Sequence, residues 1–149
     1  MRAVIQRVAH AHVTVAGETV GQIGPGLLVY AAAAPDDADA DVAYLAEKIA
    51  HLRIFPDAEY KMNLSVADAH GSVLLVSAFT VAADARKGRR PAFDASAPGP
   101  VAEPLIAQLG AAVRAYGLPV ETGRFAAHML VDSTNDGPIC ILLDSRRTF

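Results

Sequence analysis

The chain has 149 residues, of which 52% are hydrophobic and 19% charged, and its formal net charge is −3 at pH 7. This composition excludes a disordered chain, and the length fits one domain, residues 1–149, that buries about two thirds of its surface. No apolar stretch approaches the ~20 residues needed to cross a bilayer, and no secretory signal opens the chain. With Cys140 as the only cysteine, an intrachain disulfide is excluded. We therefore expect a cytoplasmic protein without membrane contact.

The first third of the chain predicts four strands. Residues 1–8 alternate in polarity, and the runs 12–15 and 19–23 flank the turn signal 16–18, which is typical of a hairpin. The continuous apolar run 27–30 follows a Gly-Pro-Gly turn and predicts a buried strand.

Two later segments predict helices. Asp36, Asp37 and Asp39 offer N-cap oxygens to the first helix, and Pro100 and Gly117 bracket the second. The apolar positions predicted to share a face are Val42, Leu45, Ile49 and Leu52 in the first helix and Val101, Leu105, Leu109, Val113 and Tyr116 in the second.

The remaining segments complete a mixed α/β (α+β) prediction. Residues 72–79 carry the strongest buried-strand pattern, residues 120–123 predict a short strand, and 61–64 have no clear period and predict a loop. Residues 128–131 and 139–143 predict the final two strands. The order of elements favours a mixed, mostly antiparallel sheet with helices on one side.

A Gly-Pro step joins the last two predicted strands at residues 135–138. Gly137 permits unusual backbone angles, and Pro138 fixes φ and removes an N–H donor. A kink here could direct two carbonyl oxygens into a cleft, whereas the alternative is an ordinary turn. Because X-Pro bonds are cis in only about 5–6% of cases, these residues alone leave the isomer open.

A basic run, Arg86, Lys87, Arg89 and Arg90, stands out in an otherwise acidic chain. It follows directly on the predicted buried strand 72–79, where sheet-based sites often lie. Its cations suit phosphate contacts, which makes an RNA backbone a plausible partner. The alternative is a solvated loop without a ligand.

The other reactive side chains give weak signals. His10 and His12 share a strand face, but two ligands do not make a metal site, so we expect no metal and no cofactor. His128 is the one histidine retained as a candidate substrate contact. Cys140 lies in an apolar run, which favours a buried, inert thiol. No nucleophile elbow or phosphate-binding glycine loop is present.

Two motifs and several longer segments nevertheless form a familiar pattern. The motifs are Ser77-Ala78-Phe79-Thr80-Val81 and Asn135-Asp136-Gly137-Pro138-Ile139-Cys140, and the segments are 1–8, 23–29, 44–49, 52–55, 61–65, 86–91 and 117–125. In this order they closely resemble D-aminoacyl-tRNA deacylases, proofreading enzymes that hydrolyse D-amino acids from tRNA.

The resemblance implies a homodimer with its active sites at the interface. Gly137 and Pro138, joined by a cis bond, are expected to enter the partner's pocket and to exclude L-amino acids. The resemblance further implies D-aminoacyl-tRNA and glycyl-tRNA as substrates, with no DNA partner. It assigns catalytic roles to Ser77, Phe79 and Thr80 and substrate binding to Ala78 and Met129. It assigns RNA binding to Arg86, Lys87, Arg89 and Arg90.

The resemblance leaves the chemistry and the specificity open. Hydrolysis assisted by the tRNA 2′-hydroxyl competes with a Thr80 nucleophile, which lacks a visible base. Ala78 replaces the family's usual glutamine, Cys140 its threonine, and His128 an acidic residue. The alternatives are a deacylase with shifted amino-acid preference, a non-catalytic RNA-binding homologue, and a dimeric scaffold without RNA contact.

Overall fold

The computed structural model describes all 149 residues. Eight strands and two helices follow one another, with a one-turn 3₁₀ helix at Phe79–Ala82: β1 (Arg2–Val15), β2 (Glu18–Ile23), β3 (Gly26–Ala32), α1 (Asp39–His51), β4 (Phe55–Pro56), β5 (Met62–Leu64), β6 (Ser72–Ser77), α2 (Gly99–Arg114), β7 (Val120–Thr122) and β8 (Leu130–Asp144). Neither helix has the length and apolar character that a bilayer crossing needs. The mixed α/β prediction is confirmed.

The sheet is built around β1. One edge of β1 pairs antiparallel with β8, and the other edge pairs with β3 and then with β2. Strands β6 and β7 continue outward from β3 in parallel. The sheet curls until β7 approaches β2, where a Cβ on Gly21 would lie 2.5 Å from the Thr122 carbonyl oxygen. This near-closure was not predicted, because it depends on curvature accumulated over five strands.

Each face of the sheet carries a hydrophobic core. The larger core includes Ile5 and Leu27 and packs the sheet against both helices through residues such as Leu45 and Leu109. The smaller core, on the other face, includes Val13 and Leu74 with the segment around Met129 packed against it. Both helices therefore lie on one side, because only that face presents a wide apolar surface to them.

The start of α1 differs from the prediction. Its N-cap is Ala38, which makes no side-chain cap, and the Asp41 carboxylate accepts the Ala38 N–H at 2.9 Å instead. Asp37 accepts a hydrogen bond from the Met1 amino group at 2.7 Å, and Asp36 pairs with Arg146. Charged partners distant in sequence thus bind the carboxylates of Asp36 and Asp37, which therefore do not cap α1.

Three other predictions were wrong. Residues 62–64 form a strand rather than a loop, because they pair with Phe55–Pro56. The two final strands are one irregular strand, β8, since both halves pair with β1. Helix α2 ends at Arg114, so Tyr116 lies beyond it, and Val101, in its first turn, is exposed; neither belongs to the buried side of the helix. Gly117 lies three residues beyond the end of α2 and has a φ of +82°, a conformation that does not continue a helix.

Alanine at Gly26 is expected to destabilise the fold by about 3 kcal/mol. The added Cβ would overlap the Ser72 carbonyl oxygen and lie 2.8 Å from the Ser72 carbonyl carbon, so β3 and β6 could not keep their spacing. The control is Gly24→Ala, whose Cβ meets open space and should change stability by less than about 0.5 kcal/mol. Urea unfolding of both variants checks this, and equal midpoints would contradict the packing of β3 on β6.

Candidate active site

A cleft of about 780 Å³ opens where the parallel strands β3 and β6 end. Sheet edges of this kind commonly hold ligands. The lining is mostly apolar and comes from five separate segments: Tyr30 to Ala33; Val76 to Thr80; Phe93, Ser96 and Ala97; Gly99, Ala102 and Ile106 of α2; and Phe125 to Met129 with Val131. A few polar groups in an apolar cleft of this size are typical of a small-ligand site.

The first predicted motif forms the central wall of the cleft. Strand β6 ends at Ser77, and the Ala78 N–H still donates to the Ala31 carbonyl at 2.9 Å. The chain then turns into the 3₁₀ helix, whose first bond runs from Val81 N–H to the Ala78 carbonyl at 3.0 Å. The N–H groups of Phe79 and Thr80 precede this bond and are left without a helical partner. They are therefore available to bind an oxyanion.

The Phe79 ring is held in place although 57% of the residue is exposed. It meets the Phe93 ring edge-on, with centroids 5.1 Å apart, and the Ser96 hydroxyl donates to the Phe79 carbonyl at 2.9 Å. The Ala97 N–H in turn donates to the Ala33 carbonyl at 2.8 Å. The segment 93–97 thus fixes the 3₁₀ turn at Phe79–Ala82 against the sheet.

The opposite wall contains Met129, as predicted, together with His128. Gly123 packs closely against Met129, because a Cβ there would lie 2.6 Å from the methionine sulfur and would displace that side chain. Tyr30 also lines the cleft, and burial raises the pKa of its phenol. Tyr30 and Phe125 are cleft residues that the sequence did not indicate. The only signal at Tyr30 is its position as the last residue of the apolar run 27–30, where its side chain ends in a hydroxyl group.

The Gly-Pro step forms a bulge in β8. Asn135 pairs with Val8 and Cys140 pairs with Gln6, so residues 136–139 have one residue of β1 opposite them. The Asn135 amide closes the bulge: it donates to the Ile139 carbonyl and accepts the Ile139 N–H, both at 2.9 Å. The Gly137-Pro138 bond is cis, as the resemblance implied.

Arg7, on the neighbouring strand β1, binds the bulge through Asp136. Only 8% of Arg7 is exposed, and its Nε donates to the Asp136 carbonyl at 3.0 Å and pairs with the Asp136 carboxylate at 3.1 Å. Its second nitrogen, NH1, donates to the Ile54 carbonyl at 2.5 Å. This guanidinium ties β8 to the link between α1 and β4, and nothing near Arg7 in the sequence indicates that role.

A single chain does not bring all the predicted site residues together. Ser77, Ala78, Phe79, Thr80 and Met129 line the cleft, whereas Gly137 and Pro138 are exposed and contribute nothing to the lining in their own chain. The predicted RNA-binding residues lie in an exposed loop outside the cleft. Cys140 is exposed rather than buried, because it lies on the uncovered face of β8 across from Gln6.

Sequence comparison shows the family to which a chain with this cleft and bulge belongs. A profile of the family described as D-Tyr-tRNA(Tyr) deacylase matches residues 4–144. This chain belongs to that family. A D-aminoacyl-tRNA deacylase of Symbiobacterium thermophilum is 54% identical over 149 residues, covering 100% of this chain and 99% of that one. One of Chloroflexus aurantiacus is 55% identical over 145 residues, covering 97% and 91%.

Solved structures agree with the family assignment. A c-Myc DNA unwinding element binding protein superposes with a TM-score of 0.91 at 35% identity, covering 97% of this chain and 98% of that one. A probable eukaryotic D-amino acid tRNA deacylase shares the fold, with a TM-score of 0.81 at 20% identity over 95% of this chain and 97% of that one. The nearly closed sheet with two helices is therefore the fold of this family.

Proposed function

We propose that this chain is a tRNA-editing hydrolase that cleaves the ester bond of D-aminoacyl-tRNA and of glycyl-tRNA. The observation that carries the proposal is the end-to-end relationship, at 51–55% identity, to chains named D-aminoacyl-tRNA deacylase. The cleft supports it, because its apolar walls suit an amino-acid side chain and a nucleobase. The enzyme acts in the cytoplasm as one domain, residues 1–149, without a cofactor.

The proposed chemistry relies on positioning. An aminoacyl ester is already activated, so water attacks the ester carbonyl, the carbon–oxygen bond to the ribose breaks, and the ribose oxygen takes a proton. The N–H groups of Phe79 and Thr80 stabilise the oxyanion, and one such donor is worth about 2.7–4 kcal/mol. The tRNA 2′-hydroxyl activates the water, while Ser77 and Thr80 shape the ester site. Ala78 leaves the backbone donors intact.

A Thr80 acyl-enzyme is the less favoured route. The hydrogen bonds at this edge, such as Ser96 Oγ to the Phe79 carbonyl at 2.9 Å, place no base on the Thr80 hydroxyl. Ending the tRNA in 2′-deoxyadenosine should therefore abolish hydrolysis, whereas Thr80→Val should retain most of it. The reverse pair of results would establish the acyl-enzyme.

We propose that a second copy of the chain completes the cleft. Strand β8 pairs with β1 alone, and its Leu130 and Leu142 are 60% and 58% exposed. Val4, which pairs with Leu142 and also with Tyr30, lies on the same half-covered sheet face. Long strands with an open edge and exposed apolar side chains invite pairing with another chain.

The homodimer accounts for the separated site residues. The bulge of one copy would enter the cleft of the other, where the Gly137 and Pro138 carbonyls would face the amino acid near Met129 and Ala78. An L-side chain would then collide with these carbonyls, while a D-side chain or glycine would not. Steric rejection of an L-side chain requires a rigid bulge, because a mobile bulge would move aside. The hydrogen bonds of Arg7 and Asn135 hold the bulge in place.

The function is tested by release of amino acid from D-tyrosyl-tRNA, L-tyrosyl-tRNA and glycyl-tRNA with a chelator present. We expect rapid release of D-tyrosine and glycine and none of L-tyrosine. A shifted preference, which Ala78 and Cys140 could cause, would show as release from other aminoacyl-tRNAs only. Binding of tRNA without release from any of them would identify a non-catalytic homologue and contradict the proposal.

A further inference from the structure

The basic loop, residues 84–92, is closed by two kinds of contact. At its ends, the backbones of Asp84 and Ala92 exchange two hydrogen bonds of 2.8 Å. Within the loop, the Arg86 guanidinium donates to both Asp84 carboxylate oxygens, at 2.9 and 2.6 Å, and the Arg86 N–H donates to the first of them at 2.9 Å. Two residues thus form a three-bond clamp at one side of the loop.

The clamp neutralises the charge of Arg86, whereas the other cations of the loop keep theirs. The Arg86 guanidinium holds the pKa of the Asp84 carboxyl well below the usual range. Both groups are ionised near neutral pH, so their charges cancel within the ion pair. Lys87, Arg89 and Arg90 form no ion pair in the structure and are exposed. These three carry the net positive charge that a phosphate backbone would meet.

The clamp also sets the direction of the loop. The backbone bridge fixes only the two ends, and Gly88, at φ +71°, leaves the tip conformationally free. Anchoring Arg86 restricts the residues between the bridge and this glycine. Less conformational entropy is then lost when the three free cations bind one backbone.

We propose that Arg86 is a positioning residue and that Lys87, Arg89 and Arg90 are the phosphate-binding cations of the basic loop. The inference rests on the proposed function and revises the sequence prediction that all four cations bind RNA. The partner is the phosphate backbone of the substrate tRNA. The clamp orients the loop through Asp84 and makes no phosphate contact of its own.

A double-mutant cycle tests the clamp. Asp84→Ala, Arg86→Ala and the double variant are assayed on D-tyrosyl-tRNA over a range of salt concentrations. We expect both single variants to raise KM by a similar factor, on the order of threefold to tenfold, with kcat unchanged and with the double variant no worse than either. The slope of log kcat/KM against log salt should stay that of the wild type, because no phosphate contact is lost.

The free cations should behave differently. Lys87→Ala, Arg89→Ala and Arg90→Ala should each weaken tRNA binding and reduce the salt slope by about 0.7–0.9, the value for one phosphate contact. If Asp84→Ala instead strengthens binding, or Arg86→Ala flattens the slope, Arg86 is itself a phosphate ligand and the inference fails. An absence of any effect of both clamp variants would also overturn it.

Two controls isolate the inference. Glu59 and Lys61, which are also two residues apart, form an ion pair at 3.1 Å on the exposed β4–β5 hairpin, away from the cleft. Alanine at either position should leave KM unchanged. The second control is D-tyrosyl-adenosine, an ester without an RNA backbone, which wild type and loop variants should hydrolyse equally. If the wild type hydrolyses neither D-tyrosyl-tRNA nor D-tyrosyl-adenosine, the proposed function fails. If it hydrolyses both, and the effects of the Asp84 and Arg86 variants on KM are additive, only the clamp inference fails.

Discussion

Replacing Gly137 with alanine is expected to admit L-aminoacyl esters and to lower the discrimination between D- and L-tyrosyl-tRNA by about 10² or more. Gly137 has a φ of +155°, and a Cβ there would lie 2.5 Å from the Ile139 nitrogen and 2.6 Å from its Cγ1. The bulge must therefore shift, and a displacement of about 1 Å near reacting groups can cost about 10². The measurement is the ratio of kcat/KM for the two esters.

The matched control for this change is Gly17→Ala. Gly17 also has a positive φ, +83°, but it lies in the β1–β2 turn with open space around its Cβ. This variant should lose some stability and keep full discrimination. If Gly137→Ala also rejects L-tyrosyl-tRNA as strongly as the wild type, the assignment of the filter to this bulge is wrong.

Replacing Arg7 with methionine should affect both stability and chirality. The variant leaves the Asp136 and Ile54 carbonyls without their charged donor, and one hydrogen bond to a charged group is worth about 1.5–3 kcal/mol. We expect a loss of about 2–3 kcal/mol in unfolding free energy. We also expect release of L-tyrosine to become measurable, because the bulge loses its support. Urea unfolding and the D/L assay check the two effects.

Arg53→Met is the control for the loss of an arginine. Arg53 donates to the Asn63 carbonyl at 2.8 Å in an exposed position, so its loss should change stability by less than about 1 kcal/mol and leave chirality unaffected. An Arg7→Met variant with wild-type stability and wild-type discrimination would show that Arg7 does not hold the bulge.

The parts of the fold that the sequence predicted are those with local signals. The continuous apolar run at 72–79 predicts a buried strand, and residues 72–77 form β6 with Val73 to Val76 buried, although Ala78 and Phe79 lie outside the strand. Gly117, at φ +82° just beyond α2, prevents the helix from continuing, and the 3₁₀ turn at 79–82 follows at once on β6. Each of these features is decided by neighbours in the chain, so a pattern of adjacent residues is sufficient to find it.

The features that were missed depend on distant pairs. Arg7 contacts Asp136 across 129 positions of sequence, and nothing near either residue indicates the other. Tyr30, Phe93 and Phe125 come from distant parts of the chain and line one cleft only because the sheet is curled. Cys140 was predicted to be buried because its run is apolar, yet one face of β8 remains uncovered in the single chain.

The most direct test of the shared site is a mixing experiment with two variants. Phe79→Pro removes a proposed oxyanion donor at a position where the start of a helix tolerates proline, and its own bulge stays intact. Gly137→Ala keeps the cleft but loses the filter. In a mixed dimer, one site combines the intact cleft with the intact bulge.

The measurement is L-tyrosine release by Gly137→Ala as Phe79→Pro is added in excess. The two-copy site predicts that L-tyrosine release falls toward zero while D-tyrosine release persists, because the remaining active sites regain the filter. Adding the double variant instead should leave L-tyrosine release in place. If Phe79→Pro also leaves L-tyrosine release unchanged although the subunits exchange, each filter acts within its own chain and the account of the shared site is contradicted.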